Sequence, residues 1–142
     1  MHDFSHSIAN TLLFTFVVMK SVLVIEDNKE IRENTAELLG LNGYIVFTAK
    51  NGKQGFDDVK IKRPDLILCD IMMPETDGKQ FLKLVKSDIT TSSIPLVFFS
   101  AGSSPIEVKK GLIQGADDYL PKPFSETELI DAVKRNMKNY NT

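Results

Sequence analysis

The sequence predicts a doubly wound α/β domain, a five-stranded parallel sheet with helices on both faces. Three observations lead there. The chain holds five short apolar runs: VLVI (Val22–Ile25), YIVF (Tyr44–Phe47), LILC (Leu66–Cys69), PLVFF (Pro95–Phe99) and DYLP (Asp118–Pro121). They are near-continuous rather than alternating, which marks strands buried on both faces. Between them lie stretches of about 10–15 residues with helical spacing, as crossover helices require. Finally, 142 residues with 42% hydrophobic and 25% charged content are enough for one full core.

Taken in order, the first nineteen residues stand apart. Met1 to Asn10 is polar and leads into the apolar run Leu12–Met19. A membrane-spanning helix needs about 20 apolar residues, so this run is too short. A signal peptide needs a basic start, and no Lys or Arg precedes Lys20. Residues 1–19 are therefore expected to be an extension, either continuing the first strand backward or forming a sticky arm. A third reading makes Met19 the natural start. The domain proper is expected over residues 20–140.

Helical faces follow the first, third and fifth strands. Ile31, Leu38 and Leu39 share one face, as do Phe81, Leu82 and Val85, and Leu129, Ile130 and Val133. Ser104-Pro105-Ile106-Glu107 carries a capping box with Pro at the first helical position, and Ser125-Glu126-Thr127-Glu128 repeats the box without it. Gly43 and Gly115 stand where helices should stop.

Composition narrows the function. Seventeen Lys+Arg against nineteen Asp+Glu leaves a formal charge of −2, with no bulk pull toward nucleic acid or anionic membrane. One cysteine, Cys69, cannot form an internal disulfide, in keeping with a reducing, cytoplasmic setting. Cys69 itself reads as a small buried hydrophobe. His2 and His6 lack carboxylate support for a metal site, and Lys109-Lys110 reads as a solvated helix face.

In a sheet of this kind ligands sit outside the carboxyl ends of the strands. Glu26 and Asp27 follow the first strand, Asp70 the third, Ser100 the fourth and Lys122 the fifth. Singly, each reads as a cap, a turn residue or a surface charge. Together they put polar groups at one edge of four strands out of five. Three converging carboxylates repel by about 4 kcal/mol per pair at ~4 Å in a dielectric near 20, so a proton or a cation must join them. Oxygen ligands without His or Cys select Mg2+ or a similar ion. Lys122 suits a phosphoryl oxygen and Ser100 supplies a hydroxyl. This is the inventory of phosphoryl transfer, with Asp70 the natural nucleophile, able to form an acyl phosphate.

The strings VLVIEDN, LILCDIMMPETDG, VFFSAG and YLPKPF, in this order and spacing, resemble the receiver domain of bacterial two-component response regulators over about Met19 to Met137. The resemblance implies a flavodoxin-like fold with strand order 2-1-3-4-5. Asp70 would be the phosphoacceptor. Asp27 would ligate Mg2+ directly and Glu26 mainly through water, with the backbone carbonyl of Met72 a further ligand. Lys122 would bind phosphate, and its bond to Pro123 would be cis. Ser100 and Tyr119 would be the switch pair, and Pro74 and Gly78 would shape the turn after the phosphorylated strand. Glu26 stands where many relatives have Asp, one methylene shorter.

The implied mechanism is transfer from a histidine kinase or histidine phosphotransfer protein to Asp70. Ser100 moves inward, Tyr119 exchanges a solvent-facing rotamer for a buried one, and the surface of the fourth and fifth predicted helices (residues 105–136) changes state. Water then hydrolyses the acyl phosphate. Met72 offers no polar side chain to orient that water. On this reading the chain is a self-phosphorylating switch rather than an enzyme acting on metabolites. Tyr119 also reads as a plain packing aromatic. The alternative function is a phosphorylation-independent interaction module, yet such degenerate domains lose an acidic, hydroxyl or lysine group that is present here. Output would pass to a downstream protein or to an output domain beyond Thr142. No direct contact of this chain with nucleic acid or membrane is expected, and phosphorylation-dependent homodimerisation is compatible with the sequence without being implied by it.

Overall fold

The structure, a computed structural model, describes residues 19–73, 77–101 and 115–137. In chain order the elements are β1 (Ser21–Ile25), α1 (Lys29–Leu41), β2 (Ile45–Ala49), α2 (Gly52–Lys62), β3 (Leu66–Asp70), α3 (Gly78–Ser87), β4 (Leu96–Ala101), β5 (Asp118–Lys122) and α4 (Glu126–Asn136). The helix expected after Ser104-Pro105 lies outside the described residues, as do His2, His6, Pro74 and Lys109-Lys110. α4 is thus the fifth helix of the sequence reading.

The five strands are all parallel, in the order β2-β1-β3-β4-β5. Successive strand residues point to opposite faces, and both faces are covered. Leu23, Ile25, Ile67, Cys69 and Phe98 pack with Val59 of α2 and Phe81, Leu82 and Val85 of α3. Val22, Val24, Leu66, Leu68, Val97, Phe99 and Leu120 pack with Leu39 of α1 and Leu129, Ile130 and Val133 of α4. This two-sided burial is why the strands read as continuous apolar runs.

Helix starts are fastened by side chains. Asn28 accepts the Ile31 N–H at 3.0 Å and Asn51 the Gln54 N–H at 2.8 Å. Ser125 and Glu128 form the expected capping box, and Asp77 with Gln80 forms one that the sequence reading passed over. Each cap is worth about 1 kcal/mol. α1 ends as Gly43 predicts. With φ at +92°, Gly43 lets its own N–H reach the Gly40 carbonyl and the Tyr44 N–H reach the Leu39 carbonyl, a Schellman closure. That closure takes Tyr44 out of the strand, so β2 begins at Ile45, one residue later than expected.

The strand ends also differ from expectation. Asp70, Ser100 and Lys122 lie within their strands rather than after them, since Asp70 is paired with Phe99, Ser100 with Pro121 and Ala101 with Lys122. Ladder hydrogen bonds involve only the backbone, so a polar side chain does not end a strand. Among the described residues, no helix is long and apolar enough to cross a membrane.

Candidate functional site: an acidic rim bridged by one lysine

β1 and β3 are neighbours in the middle of the sheet, and β5, beyond β4 at its edge, ends at the same rim. Glu26, Asp27 and Asp70 each present a carboxylate oxygen there, all within 4.8 Å of one another. Glu26 and Asp70 are buried, at 1% and 5% exposure, whereas Asp27 faces solvent. The Lys122 ammonium donates to Glu26 Oε1 and lies 3.4 Å from Asp70 Oδ2. The cation that three converging carboxylates demand is thus supplied in part by the chain itself. Lys122 also sits 4.7 Å over the Phe99 ring, a cation–π contact that steadies a half-buried charge.

Backbone contacts hold the acids in place. The Met72 N–H donates to Asp70 Oδ1 at 3.0 Å, and the Asn28 N–H to Glu26 Oε2 at 3.2 Å. Arg32 Nη1 donates to the carbonyls of Glu26 at 2.8 Å and Asp27 at 3.3 Å, tying the β1–α1 loop back onto α1. Neither Asp27 nor Asp70 acts as a helix cap; Asn28 and Asp77 do so. Helix capping is thus not the role of either aspartate, although Asp70, accepting the N–H two residues on, also makes an Asx-turn contact. A hydrogen bond shared with Glu26, then partial burial and the Glu26 charge, push the Asp27 carboxyl above the ordinary carboxylate range, with Lys122 acting in the opposite sense.

Gly78 explains how α3 can begin against the end of β3. Its N–H donates to the Ile71 carbonyl at 2.8 Å. A Cβ there would lie 2.7 Å from both the Asp70 carbonyl oxygen and Ile71 Cα. Close approach of backbone to backbone, not a special φ, is what demands glycine here.

Ser100 is buried at 2% exposure near the end of β4. Tyr119, paired with Phe98 on the neighbouring strand, is half-buried, and its hydroxyl donates to the Ser100 backbone carbonyl at 3.1 Å. The ring is therefore already turned inward, not in the solvent-facing rotamer expected of the resting state. Cys69 is fully buried, its Sγ–H directed at the Asp70 carbonyl, and burial, followed by the charges of Asp70 and Glu26, drives its thiol pKa well upward. Met72 is largely exposed at 72%. Sequence reasoning missed Asn28, Arg32 and Phe99. Only Asn28 carried a signal, as a capping residue directly before a helix.

Among the described residues, three carboxyl groups against one ammonium leave the rim net negative, and oxygen is its only donor type. That set fits a hard divalent cation such as Mg2+ better than a soft one. Beside the rim, a cleft of about 310 Å3 is lined by Ile31, Asn34, Thr35, Lys122, Pro123 and Phe124, and the Lys122–Pro123 bond is cis.

Comparison with known proteins agrees with this architecture. Residues 22–134 match the family described as the response regulator receiver domain. The response regulator MprA of Mycolicibacterium vanbaalenii is 38% identical over 109 residues, covering 77% of this chain and 46% of that protein. The chain thus spans about half the length of the curated relatives it matches. Among solved structures, the chemotaxis response regulator CheY4 of Vibrio cholerae superposes with a TM-score of 0.80 at 29% identity, over 84% of this chain and 100% of that one. The receiver domain of the Francisella response regulator 1452 gives 0.76 at 34% identity, over 82% and 94%. With the match running from β1 into α4 and the same order of parallel strands beneath it, this chain belongs to the response regulator receiver domain family.

Proposed function

We propose that this receiver domain is a phosphorylation-activated switch whose phosphoacceptor is Asp70, with a histidine kinase or histidine phosphotransfer protein as donor. The observation that carries the reading is one ammonium, Lys122, held between two buried carboxylates with a third beside them. A nucleophilic carboxylate, a cation for the transferred oxygens and a net negative rim for a metal are what phosphoryl transfer needs.

The Met72 N–H fixes one Asp70 oxygen, and with it the plane of the carboxylate, while the other faces Lys122. In transfer, an Asp70 oxygen attacks phosphorus, the O–P bond forms as the N–P bond of phosphohistidine breaks, and the imidazole leaves with the electron pair. Lys122 shifts its charge from the free carboxylate to the transferred oxygens. Mg2+, held by Glu26, Asp27, Asp70 and the Met72 carbonyl, would neutralise charge on those oxygens. Ser100 offers its hydroxyl to a phosphoryl oxygen, and the strand motion this requires is felt at once by Tyr119, bonded to the Ser100 carbonyl. Hydrolysis of the acyl phosphate by water resets the switch. On this reading residues 20–140 form the working unit, residues 1–19 are an extension, and the domain works in the cytoplasm, passing its signal to a downstream protein or an attached output domain.

The test is incubation with acetyl phosphate and Mg2+, followed by intact-mass measurement. A gain of one phosphoryl group that disappears in Asp70→Asn is expected. Absence of uptake in the unaltered chain overturns the proposal and leaves a phosphorylation-independent interaction module.

A further inference from the structure

A chain of hydrogen bonds leaves the site in a direction that phosphoryl transfer does not require. It starts at the Ser100 carbonyl, which accepts the Tyr119 hydroxyl at 3.1 Å. The Tyr119 backbone N–H donates to Asp118 Oδ1 at 2.8 Å. The other oxygen, Asp118 Oδ2, accepts from Arg135 Nε at 2.6 Å and from Asn136 Nδ2 at 2.7 Å. Asn136 Nδ2 also donates to the Ala132 carbonyl at 2.8 Å, one turn back along α4.

We infer that Asp118 is a positioning residue, one carboxylate coupling the Ser100–Tyr119 pair to the last turn of α4. The two oxygens of Asp118 are divided between the two ends of the chain. β5 lies at the edge of the sheet, where outward backbone N–H groups have no strand to pair with. Tyr119 would have such a group were it not for Oδ1. A carboxylate is planar and rigid, so displacement of the Tyr119 backbone turns Oδ2 against Arg135 and Asn136. Both partners sit in the last turn of α4. The response regulator MprA relatives that this chain matches are about twice its length. The inference rests on the proposed phosphorylation only for the signal that enters at Ser100; the coupling itself does not depend on it.

The experiment measures backbone amide exchange of Arg135 and Asn136 by NMR on the full chain. Tyr119→Phe removes the hydroxyl that holds the Ser100 carbonyl. It should speed exchange at these amides about five-fold, the lower end of ordinary coupling between sites. In Asp118→Asn, which keeps an acceptor for the Tyr119 N–H but cannot accept from both α4 side chains, Tyr119→Phe should add no further change. The same holds in Arg135→Gln. A purely structural role would loosen the α4 end in Asp118→Asn yet leave the response to Tyr119→Phe intact, and that result overturns the inference. So does a Tyr119→Phe protein with unaltered exchange.

A second arm adds acetyl phosphate and Mg2+. Uptake measured by mass should be equal in the unaltered chain and in Asp118→Asn, with the α4 amides responding only in the former. Normal uptake with silent amides in the unaltered chain refutes the relay. No uptake, with the Tyr119→Phe coupling present, refutes the phosphorylation reading and leaves the relay standing.

Discussion

Asp27→Asn should stabilise the metal-free protein and destabilise it, relative to the unaltered chain, once Mg2+ is added. Asp27 is the exposed member of three carboxylates whose oxygens lie within 4.8 Å. At that separation a like-charge pair costs about 0.9 kcal/mol in bulk water and about 3.5 kcal/mol at an effective dielectric of 20. Solvent exposure places Asp27 near the lower figure, and Lys122 offsets part of its repulsion with Glu26 and Asp70. A gain of about 1 kcal/mol remains for the neutral isostere, which moves a urea midpoint by about 0.5 M. Raising the salt concentration should shrink this gain, because the charge faces water. Magnesium reverses the order. A ligand at one hundred times its dissociation constant adds about 2.7 kcal/mol to the protein that binds it, and Asp27→Asn loses most of that. Urea titrations in chelator and in Mg2+, for both proteins, read the effect directly. If Asp27→Asn is less stable in chelator, or gains as much from Mg2+ as the unaltered chain, then the rim is not a site of surplus negative charge that a metal relieves.

Gly78→Ala should cost about 1–3 kcal/mol in chemical denaturation, because its methyl would press on the Asp70 carbonyl and Ile71 Cα, both backbone atoms with little freedom to yield. Thr35→Val should raise stability by about 1 kcal/mol, since the Thr35 hydroxyl is fully buried and has no hydrogen-bond partner among the described residues; a loss of stability would mean that the hydroxyl is satisfied. Asp118→Asn should be less stable than the unaltered chain at neutral pH, by about 0.5 kcal/mol after allowing for solvent screening. Burial raises the Asp118 pKa, but the hydrogen bonds from Arg135, Asn136 and the Tyr119 N–H outweigh it and leave the carboxyl below its ordinary 3.8. A depressed carboxyl stabilises above its unfolded value and loses that contribution as pH falls through the folded one, so the two proteins should converge at acid pH.

The sheet was legible because burial on both faces writes itself into sequence as unbroken apolar runs, and Val22–Ile25 and Leu66–Cys69 both proved to be strand interior. Their ends were less legible. Asp70 and Lys122 remain in the ladder although their polarity suggested that the strands had stopped. The convergence of Glu26, Asp27 and Asp70 could be anticipated from strand-end positions alone. The contacts that orient them could not, since Arg32 reaches back to carbonyls and leaves no pattern of spacing. The inward ring of Tyr119 was also hidden, because a tyrosine on an edge strand is equally at home packed or in solvent.

The bond between Lys122 and Glu26 joins residues 96 positions apart, and that between Lys122 and Asp70 spans 52. No stretch of the chain holds both the acids and their counter-charge until β5 has been laid against β4. A nascent or unravelled molecule that lacks its final strand thus offers bare, mutually repelling carboxylates in place of the assembled rim. Under the proposed function, phosphoryl transfer would be withheld until the whole sheet has closed, and competence for it would certify that folding has reached its last strand.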